Sequence, residues 1–390
     1  AGGLITSALP RWKRPASKPR LSTIMTAYIV RRLLLIIPTL FAIMVINFLI
    51  IQVAPGGPVE QIISQLTGVG VDITERVTRT GTTETLSNTG GSDSFSGKYR
   101  GAQGLDPDFI AELEARFGFD KPLHVRFITM MKQYLMLDFG ESFYRDRSVV
   151  DLVLDKMPVS ISLGIWTTLL VYLISIPLGI AKAVRDGSRF DVWTSVLVVI
   201  GAAIPSFLFA VFLLVTFAGG SYLDWFPLAG LTSENWETLS WPSRILDYFW
   251  HITLPVLAMT IGGFATLTML TKNSFLDQIN QQYVLTARAK GLSERRVVYG
   301  HVFRNAMLIV IAGFPSAFIG ILFTGSLLIE IIFSLDGLGL LGFEAAFARD
   351  YPVMFGTLFF FSLLGLVMSL LGDLTYTLVD PRIDFESRET

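Results

Sequence analysis

The chain contains no cysteine, only three histidines and few charged residues. Without cysteine it has no disulfide, no thiolate nucleophile and no sulfur ligand for a metal. Because His124, His251 and His301 lie far apart in the sequence, a histidine metal site is not expected. Charged residues make up 16% of the chain, against about 25% in a typical soluble domain. With 52% hydrophobic residues, this deficit predicts an integral membrane protein.

The chain also lacks the GxxxxGK[ST] pattern of phosphate-binding loops, so we expect no ATP site of that kind and no cofactor in this chain. The glycine-rich stretch 337–342 has no Lys-Ser or Lys-Thr pair after it and is not such a loop. Ionisable residues are nearly absent from the apolar runs, with Glu330 and Asp373 towards their ends. Ion-coupled transporters usually carry such residues in mid-membrane. We predict no catalytic residues and no nucleic-acid partner.

Six apolar runs are long enough to cross a bilayer, which requires about 20 residues. The runs are 33–53, 161–183, 192–217, 252–270, 308–332 and 353–371. Gly201 and Pro205 interrupt the third run. The pattern predicts an all-α integral membrane protein with six transmembrane helices.

Lysine and arginine are unevenly distributed between the connecting segments. One set of alternate segments, with both termini, holds 18 of them, whereas the short loops of the other set hold only Arg244 and Arg349. Because cytoplasmic loops are enriched in Lys and Arg, we predict that both termini are cytoplasmic. The long segment after the first helix is then extracytoplasmic.

The chain divides into four regions. Residues 1–24 are predicted to be a disordered extension, and 25–53 the first transmembrane helix. Residues 54–158 form the extracytoplasmic segment, with a Thr-, Ser- and Gly-rich flexible insertion at 74–104 and amphipathic helices at 106–143. Residues 159–390 are predicted to form the transmembrane core, with helices two to six and a cytoplasmic loop at 273–305.

Within that loop, the stretch 281–306 (QQYVLTARAKGLSERRVVYGHVFRNA) has the pattern of helix, turn and helix. Residues 283–290 form a short helix, and Gly291 stands where a left-handed residue ends a helix. Ser293 is the expected N-cap of the next helix, with Glu294 in its first turn. We interpret this compact basic element as a plug for a groove in another protein.

The motif YVLTARAKGLSERRV resembles the loop through which permeases of ATP-binding-cassette importers contact their ATPases, in the form of the peptide/nickel branch. In place of the glutamate usual in that loop stands Leu285. The stretches RRLLLIIPTL, FSLDGLGLLGFEAAFARDYPV and GDLTYTLVDPRIDF are similar to other parts of the same DppB/OppB-like family. The 74–104 insertion departs from the usual pattern of this family, and together with the tail it makes the Yej-type peptide permeases the nearest match.

The resemblance implies a transmembrane permease subunit in the bacterial inner membrane. Its partners would be a second homologous permease, two ATPase subunits that hold ATP and magnesium, and a periplasmic solute-binding protein. The coupling helix would comprise Thr286, Ala287, Arg288, Ala289, Lys290, Gly291, Leu292, Ser293 and Arg295. The family's extracytoplasmic loop would comprise Gly337, Leu338, Gly339, Glu344, Asp350, Tyr351 and Pro352.

For the coupling helix we expect the small residues Ala287 and Gly291 to let the partner approach closely. Leu292 would then fill an apolar pocket of the partner, and Arg288, Lys290 and Arg295 would pair with acids at the rim. Two alternatives to a peptide permease stay open from the sequence. One is an ion-coupled secondary transporter, and the other is a nickel importer of the same family.

The topology can be tested by labelling, because the chain has no cysteine of its own. Single cysteines at Ser94 and Ser293 should react with an impermeant thiol reagent from opposite faces of the membrane. Labelling from the same face would contradict the six-span arrangement.

Overall fold

The computed structural model describes residues 21–53, 57–59, 62–63, 107–116, 118–220, 222–320 and 327–379. Residues 1–20 and the predicted insertion 74–104 lie outside the described residues. The first helix begins at Leu21. The prediction of a disordered extension over 1–24 is therefore wrong for residues 21–24.

The described part of the chain is almost entirely helical and contains no strand, only an isolated bridge between Glu141 and Ser148. In chain order the helices are α1 (Leu21–Val53), α2 (Pro107–Arg116), α3 (Leu123–Leu135), α4 (Val149–Val184), α5 (Arg189–Ala203), α6 (Ser206–Phe217), α7 (Trp241–Ile279), α8 (Gln282–Ala289), α9 (Glu294–Val297), α10 (Phe303–Gly320), α11 (Leu327–Ile332), α12 (Leu338–Ala348) and α13 (Tyr351–Val379). A 3-10 turn covers Trp236–Thr238, and a π-helical segment, Val298–Val302, joins α9 to α10. The predicted all-α class is confirmed.

Five of the described helical stretches are long and apolar enough to cross a membrane, and the bent pair of α5 and α6 raises the number to six if it forms one span. The five stretches are Tyr28–Gln52, Val149–Val184, Trp241–Ile279, Glu294–Pro315 and Tyr351–Thr375. Each of the six predicted runs overlaps one of these stretches or the bent pair.

The third predicted run is broken at Pro205, where α5 and α6 meet at 90°. Pro205 has no N–H to donate into a helix, and its ring disfavours the helical conformation of the residue before it. Ile204 accordingly has an extended ψ of 117°. The interruption predicted from the sequence is therefore confirmed, and the structure shows that it is a right-angled turn.

The fifth predicted run, 308–332, divides differently in the structure. The candidate span begins at Glu294 and passes through the π-helical segment into α10. α11 is a separate short helix, and residues 321–326 between the two lie outside the described residues. The predicted loop 273–305 begins within α7, which continues to Ile279.

The centre of the bundle is the contact between α4 and α7. A Cβ built on Gly179 of α4 would lie 2.6 Å from Thr271 Cβ and 2.8 Å from Thr268 O, so only glycine allows this approach. One turn away, Ser175 Oγ donates a hydrogen bond to Phe264 O at 3.1 Å. Small residues and interhelical hydrogen bonds are the usual means by which membrane helices associate. Here they join α4 and α7 along one seam.

The amphipathic segment before α4 packs on the first and last spans. Phe127 of α3 lies 5.2 Å from Phe48 of α1 between ring centroids. The ring of Phe139 lies 4.8 Å from Phe360 of α13. At the other end of the same two spans, Tyr28 Oη donates to Asp373 Oδ2 at 2.9 Å. The start of α1 and the end of α13 are therefore neighbours.

Candidate functional site

The basic segment 281–306 forms the helix, turn and helix that its sequence predicts. α8 ends at Ala289, and Gly291 follows with a left-handed φ of +77°. The Gly291 N–H donates to Arg288 O at 2.9 Å and closes the end of the helix. Ser293 occupies the predicted N-cap position of α9, although its side chain makes no capping hydrogen bond.

One face of this loop packs into the core of the chain itself. Val284 and Ala287 of α8 are buried, and so is Val297 of α9. They form one cluster with Phe275 of α7, and Leu292 is partly buried against it. Ala287 is therefore buried within this chain and Leu292 is partly exposed, and the predicted contact of both with a partner stays a prediction. Their apolar side chains fix the loop to the bundle.

The opposite face of the loop is open, and we call it the coupling face. It consists of Leu285, Thr286, Ala289, Lys290 and Gly291, all of them exposed. Leu285 is 50% exposed although it is apolar. A Cβ on Gly291 would meet no atom within 4 Å. The coupling face thus exposes an apolar side chain and, at Gly291, backbone that no side chain covers.

Arg288 forms an ion pair within the loop, and its predicted pairing with acids of a partner stays a prediction. Its Nε lies 2.9 Å from Glu294 Oε1, and its second nitrogen bonds Oε2 at 3.1 Å. The pair spans the turn and joins α8 to α9. Because both side chains are exposed, the pair stabilises the loop by about 1 kcal/mol at most. Arg295 is exposed.

The loop continues without a break into a membrane span. After α9 the backbone forms the π-helical segment Val298–Val302 and then α10. π-helical turns are rare and occur frequently at functional sites. Ser274 Oγ of α7 donates to Ala306 O of α10, so the two helices that leave the loop are held together.

Beside the loop, four charged side chains meet where α4 ends, α5 begins and α7 approaches its end. We call Lys182, Asp186, Asp191 and Lys272 the ionic cluster. Lys182 Nζ lies 3.0 Å from Asp191 Oδ1. Lys272 Nζ lies 2.7 Å from Asp191 Oδ2 and 2.8 Å from Asp186 Oδ1. Two lysines and two aspartates thus form a neutral set that links three helices.

Lys182 is fully buried, and its ammonium group is completely surrounded by acceptors. Besides the Asp191 carboxylate, it donates to Asp191 O at 2.8 Å, Ser195 Oγ at 2.6 Å and Thr194 Oγ1 at 3.0 Å. A buried charge needs such partners. Sequence analysis counted Lys182 only among the basic residues of the connecting segments and did not identify this cluster. The two aspartates that follow Lys182 in the sequence, Asp186 and Asp191, could have indicated an ion pair.

The predicted loop around Gly337 lies at the other end of the bundle and contains a buried carboxylate. Glu330 is fully buried. It accepts hydrogen bonds from the Leu340 N–H at 2.7 Å and from Ser160 Oγ at 3.3 Å. Ser160 Oγ in turn accepts from the Leu338 N–H at 2.8 Å. Glu330 therefore caps the N-terminus of α12, where the helix dipole favours a negative charge.

Asp350 connects this end of the bundle to the amphipathic segment. Its carboxylate accepts hydrogen bonds from Ser142 Oγ and from the Phe143 N–H. Burial raises the pKa of Asp350, and these hydrogen bonds offset part of the rise. Arg145 forms an ion pair with Glu344 nearby. The predicted residues of this region are all placed at this end: Gly337, Leu338, Gly339, Glu344, Asp350, Tyr351 and Pro352.

Residues 175–385 match the family described as the binding-protein-dependent transport system inner membrane component. The chain belongs to this family, and it is an inner-membrane permease of an ABC importer.

Three relatives match nearly the whole chain. The peptidoglycan transport system permease protein YejB of Agrobacterium fabrum is 62% identical over 94% of this chain and 100% of its own length. The inner membrane ABC transporter permease protein YejB of Escherichia coli is 59% identical over 93% and 100%. The oligopeptide transport system permease protein AppB of Bacillus subtilis is 33% identical over 93% and 100%. The predicted resemblance to Yej-type permeases is confirmed.

The ionic cluster offers a matched pair of substitutions. Asp186 and Asp191 both bond Lys272, but the Asp186 side chain is 53% exposed and that of Asp191 only 7%. Asp191→Asn leaves buried Lys182 without a carboxylate, so we expect a loss of about 3–5 kcal/mol. Asp186→Asn should lose about 1 kcal/mol or less. Thermal unfolding of the detergent-purified chain measures both, and equal losses would contradict a structural role for the buried pair.

The Glu330 cap predicts that Gly337 cannot carry a side chain. A Cβ at Gly337 would clash with the Glu330 carboxylate, whereas one at Gly342 would meet only ordinary contacts at 3.9 Å and beyond. Gly337→Ala should therefore destabilise the chain by about 1–3 kcal/mol, and Gly342→Ala should not. The same unfolding measurement distinguishes the two variants. A stable Gly337→Ala protein would show that the cap is dispensable.

Proposed function

We propose that this chain and a second, homologous permease form the membrane pathway of an importer for peptides or peptide-like solutes. A periplasmic binding protein delivers the solute, and two ATPase subunits drive alternating access. Relatives of this chain are named for the transport of peptidoglycan and of oligopeptides, which supports a peptide cargo over nickel. The alternative of an ion-coupled transporter is not favoured, because the chain belongs to the family of binding-protein-dependent transport components.

In this proposal both termini and the coupling face lie in the cytoplasm, and the amphipathic segment lies outside. The distribution of Lys and Arg supports this orientation. The contact between Tyr28 and Asp373 supports placing both termini on the same side of the membrane, because it joins the start of the first span to the end of the last. Likewise, the contact between Asp186 and Lys272 joins the loop after α4 to the end of α7. Six alternating spans satisfy both contacts.

The loop's role in coupling the ATPases to the membrane helices is supported by its two faces, one buried in this chain and one exposed. Its inner face is part of a core that includes Phe275 and Val302, and its outer face, the coupling face, is exposed. An element that transmits motion must be rigidly attached on one side and accessible on the other. When a docked ATPase displaces the coupling face, α7 and α10 must move with it.

Gly291→Asp tests this role in the assembled transporter. The left-handed conformation penalises the new side chain, and its charge would project from the coupling face, for a total cost of about 1–3 kcal/mol. We expect the chain to insert normally while peptide uptake into proteoliposomes is lost. The ATPases should either detach in a pull-down or hydrolyse ATP without import.

Gly220→Asp is the matched control, because Gly220 has a φ of +65° and open space around a Cβ but lies away from the loop. It should retain uptake. Wild-type uptake and ATPase retention in the Gly291→Asp variant would show that the loop does not couple the ATPases to the membrane helices. If the wild-type complex takes up nickel and no peptide, the proposed peptide cargo is wrong and the cargo is nickel.

A further inference from the structure

The helix α3 and the turn that follows it expose a row of large apolar side chains. Leu135, Met136 and Leu137 are 78%, 80% and 64% exposed, and Ile128 is also exposed. Residues 128 and 135 lie on the same side of the helix, because they are two turns apart. We call these four residues the apolar flank of α3. A contiguous exposed apolar surface of this kind marks a contact with a protein or a membrane.

The opposite flank of α3 is polar. Arg126, Thr129 and Gln133 recur at the spacing of one helix face, and they line a cleft of about 390 Å³. Lys121 and Glu141 line the same cleft. A helix with an apolar flank on one side and a polar, basic flank on the other is typical of helices that lie in the plane of a membrane surface.

The contacts of α3 with the first span fix its depth. The Phe127 ring lies 5.9 Å from Phe41 and 5.2 Å from Phe48 of α1, between ring centroids. The candidate span of α1 ends at Gln52. At a rise of about 1.5 Å per residue, Phe48 lies about 6 Å and Phe41 about 16 Å inside that end. The Phe127 ring therefore lies between these two levels, inside the span and not above it.

The last span gives the same depth. Tyr134, next to Leu135 in α3, lies 5.6 Å from Phe359 of α13 between ring centroids. The candidate span of α13 begins at Tyr351, so Phe359 lies about 12 Å inside that end. Helices in the membrane interface bury their apolar face about 5–10 Å into the boundary between headgroups and acyl chains. α3 therefore lies at the level of such a helix.

We propose that the apolar flank of α3 lies among the lipid acyl chains of one leaflet, so that the segment between the first two spans is partly embedded in the membrane. In the proposed orientation this is the extracytoplasmic leaflet. Between Phe41 and Gln52, α1 exposes Ile46 and Leu49, so the apolar flank continues the exposed apolar surface of a span at the same level. A partner that approaches from water meets the polar flank, because only the polar flank borders the cleft.

Spin labels test the depth, because the chain has no cysteine of its own. Single nitroxides are attached to Leu135→Cys, Met136→Cys or Gln133→Cys in the assembled transporter in proteoliposomes. Labels at 135 and 136 should collide more often with oxygen, which concentrates among acyl chains, than with a water-soluble nickel chelate, at a depth of about 5–10 Å. The label at 133, on the polar flank, is the matched control and should collide mainly with the chelate. All three positions are exposed, so the labels require no repacking.

Two results of the collision measurement would overturn the proposal. Collision of the labels at 135 and 136 mainly with the nickel chelate would place the apolar flank in water. Little collision with either reagent would show that a protein surface covers the flank, as the second permease or the binding protein would. Neither result bears on the cargo or on the coupling to the ATPases, so failure of this inference is distinct from failure of the proposed function.

Brominated lipid tests the contact directly. A bimane fluorophore on the same three cysteines is compared in phosphatidylcholine with and without bromine on the acyl chains near the headgroup, because bromine quenches the fluorophores that it contacts. Positions 135 and 136 should lose emission in the brominated lipid, whereas position 133 should keep it. Unchanged emission at 135 and 136 would show that no acyl chain contacts the apolar flank. Equal quenching at all three positions would contradict the assignment of lipid to one flank only.

Discussion

The fully buried lysine at position 182 constrains the whole loop end of the bundle. An ammonium group in a membrane protein is stable only where acceptors surround it, and Asp191 supplies two of them, its carboxylate and its backbone carbonyl. Asp191 belongs to the first turn of α5, and Lys272 of α7 bonds the same carboxylate. The position of one charge therefore fixes where three helices meet.

This fixed junction continues into the contact between α4 and α7. Next to Lys182, Gly179 lies directly against Thr271, so the two helices cannot slide past each other without a clash. Ile180 and Ala183 of α4 share a core with Val284 of the coupling loop. Loop, ionic cluster and central seam are therefore one packed unit. Packed side chains of this kind can transmit a displacement from the loop to the membrane helices.

Features that depend on local chemistry could be predicted from the sequence. The apolar runs predicted the candidate spans, Pro205 predicted the break in the third span, and the position of Gly291 predicted its left-handed conformation. Features that depend on which helix surfaces pack together in the folded chain could not be predicted from the sequence. The spacing of Val284 and Ala287 indicates an apolar face, but the pattern is the same whether that face packs on its own chain or on a partner. The right angle at Pro205 and the partners of Lys182 depend in the same way on tertiary packing.

The distribution of charge within the bundle shows where its helices are held together. The ionic cluster stands at one end, and Glu330 and Asp350 stand at the other. Between them, the described residues that line a cavity between α4, α7 and α10 carry no charge. Each charged group at the ends is paired or hydrogen-bonded. In the part of the bundle that the structure describes, these paired charges hold the helices together at its two ends.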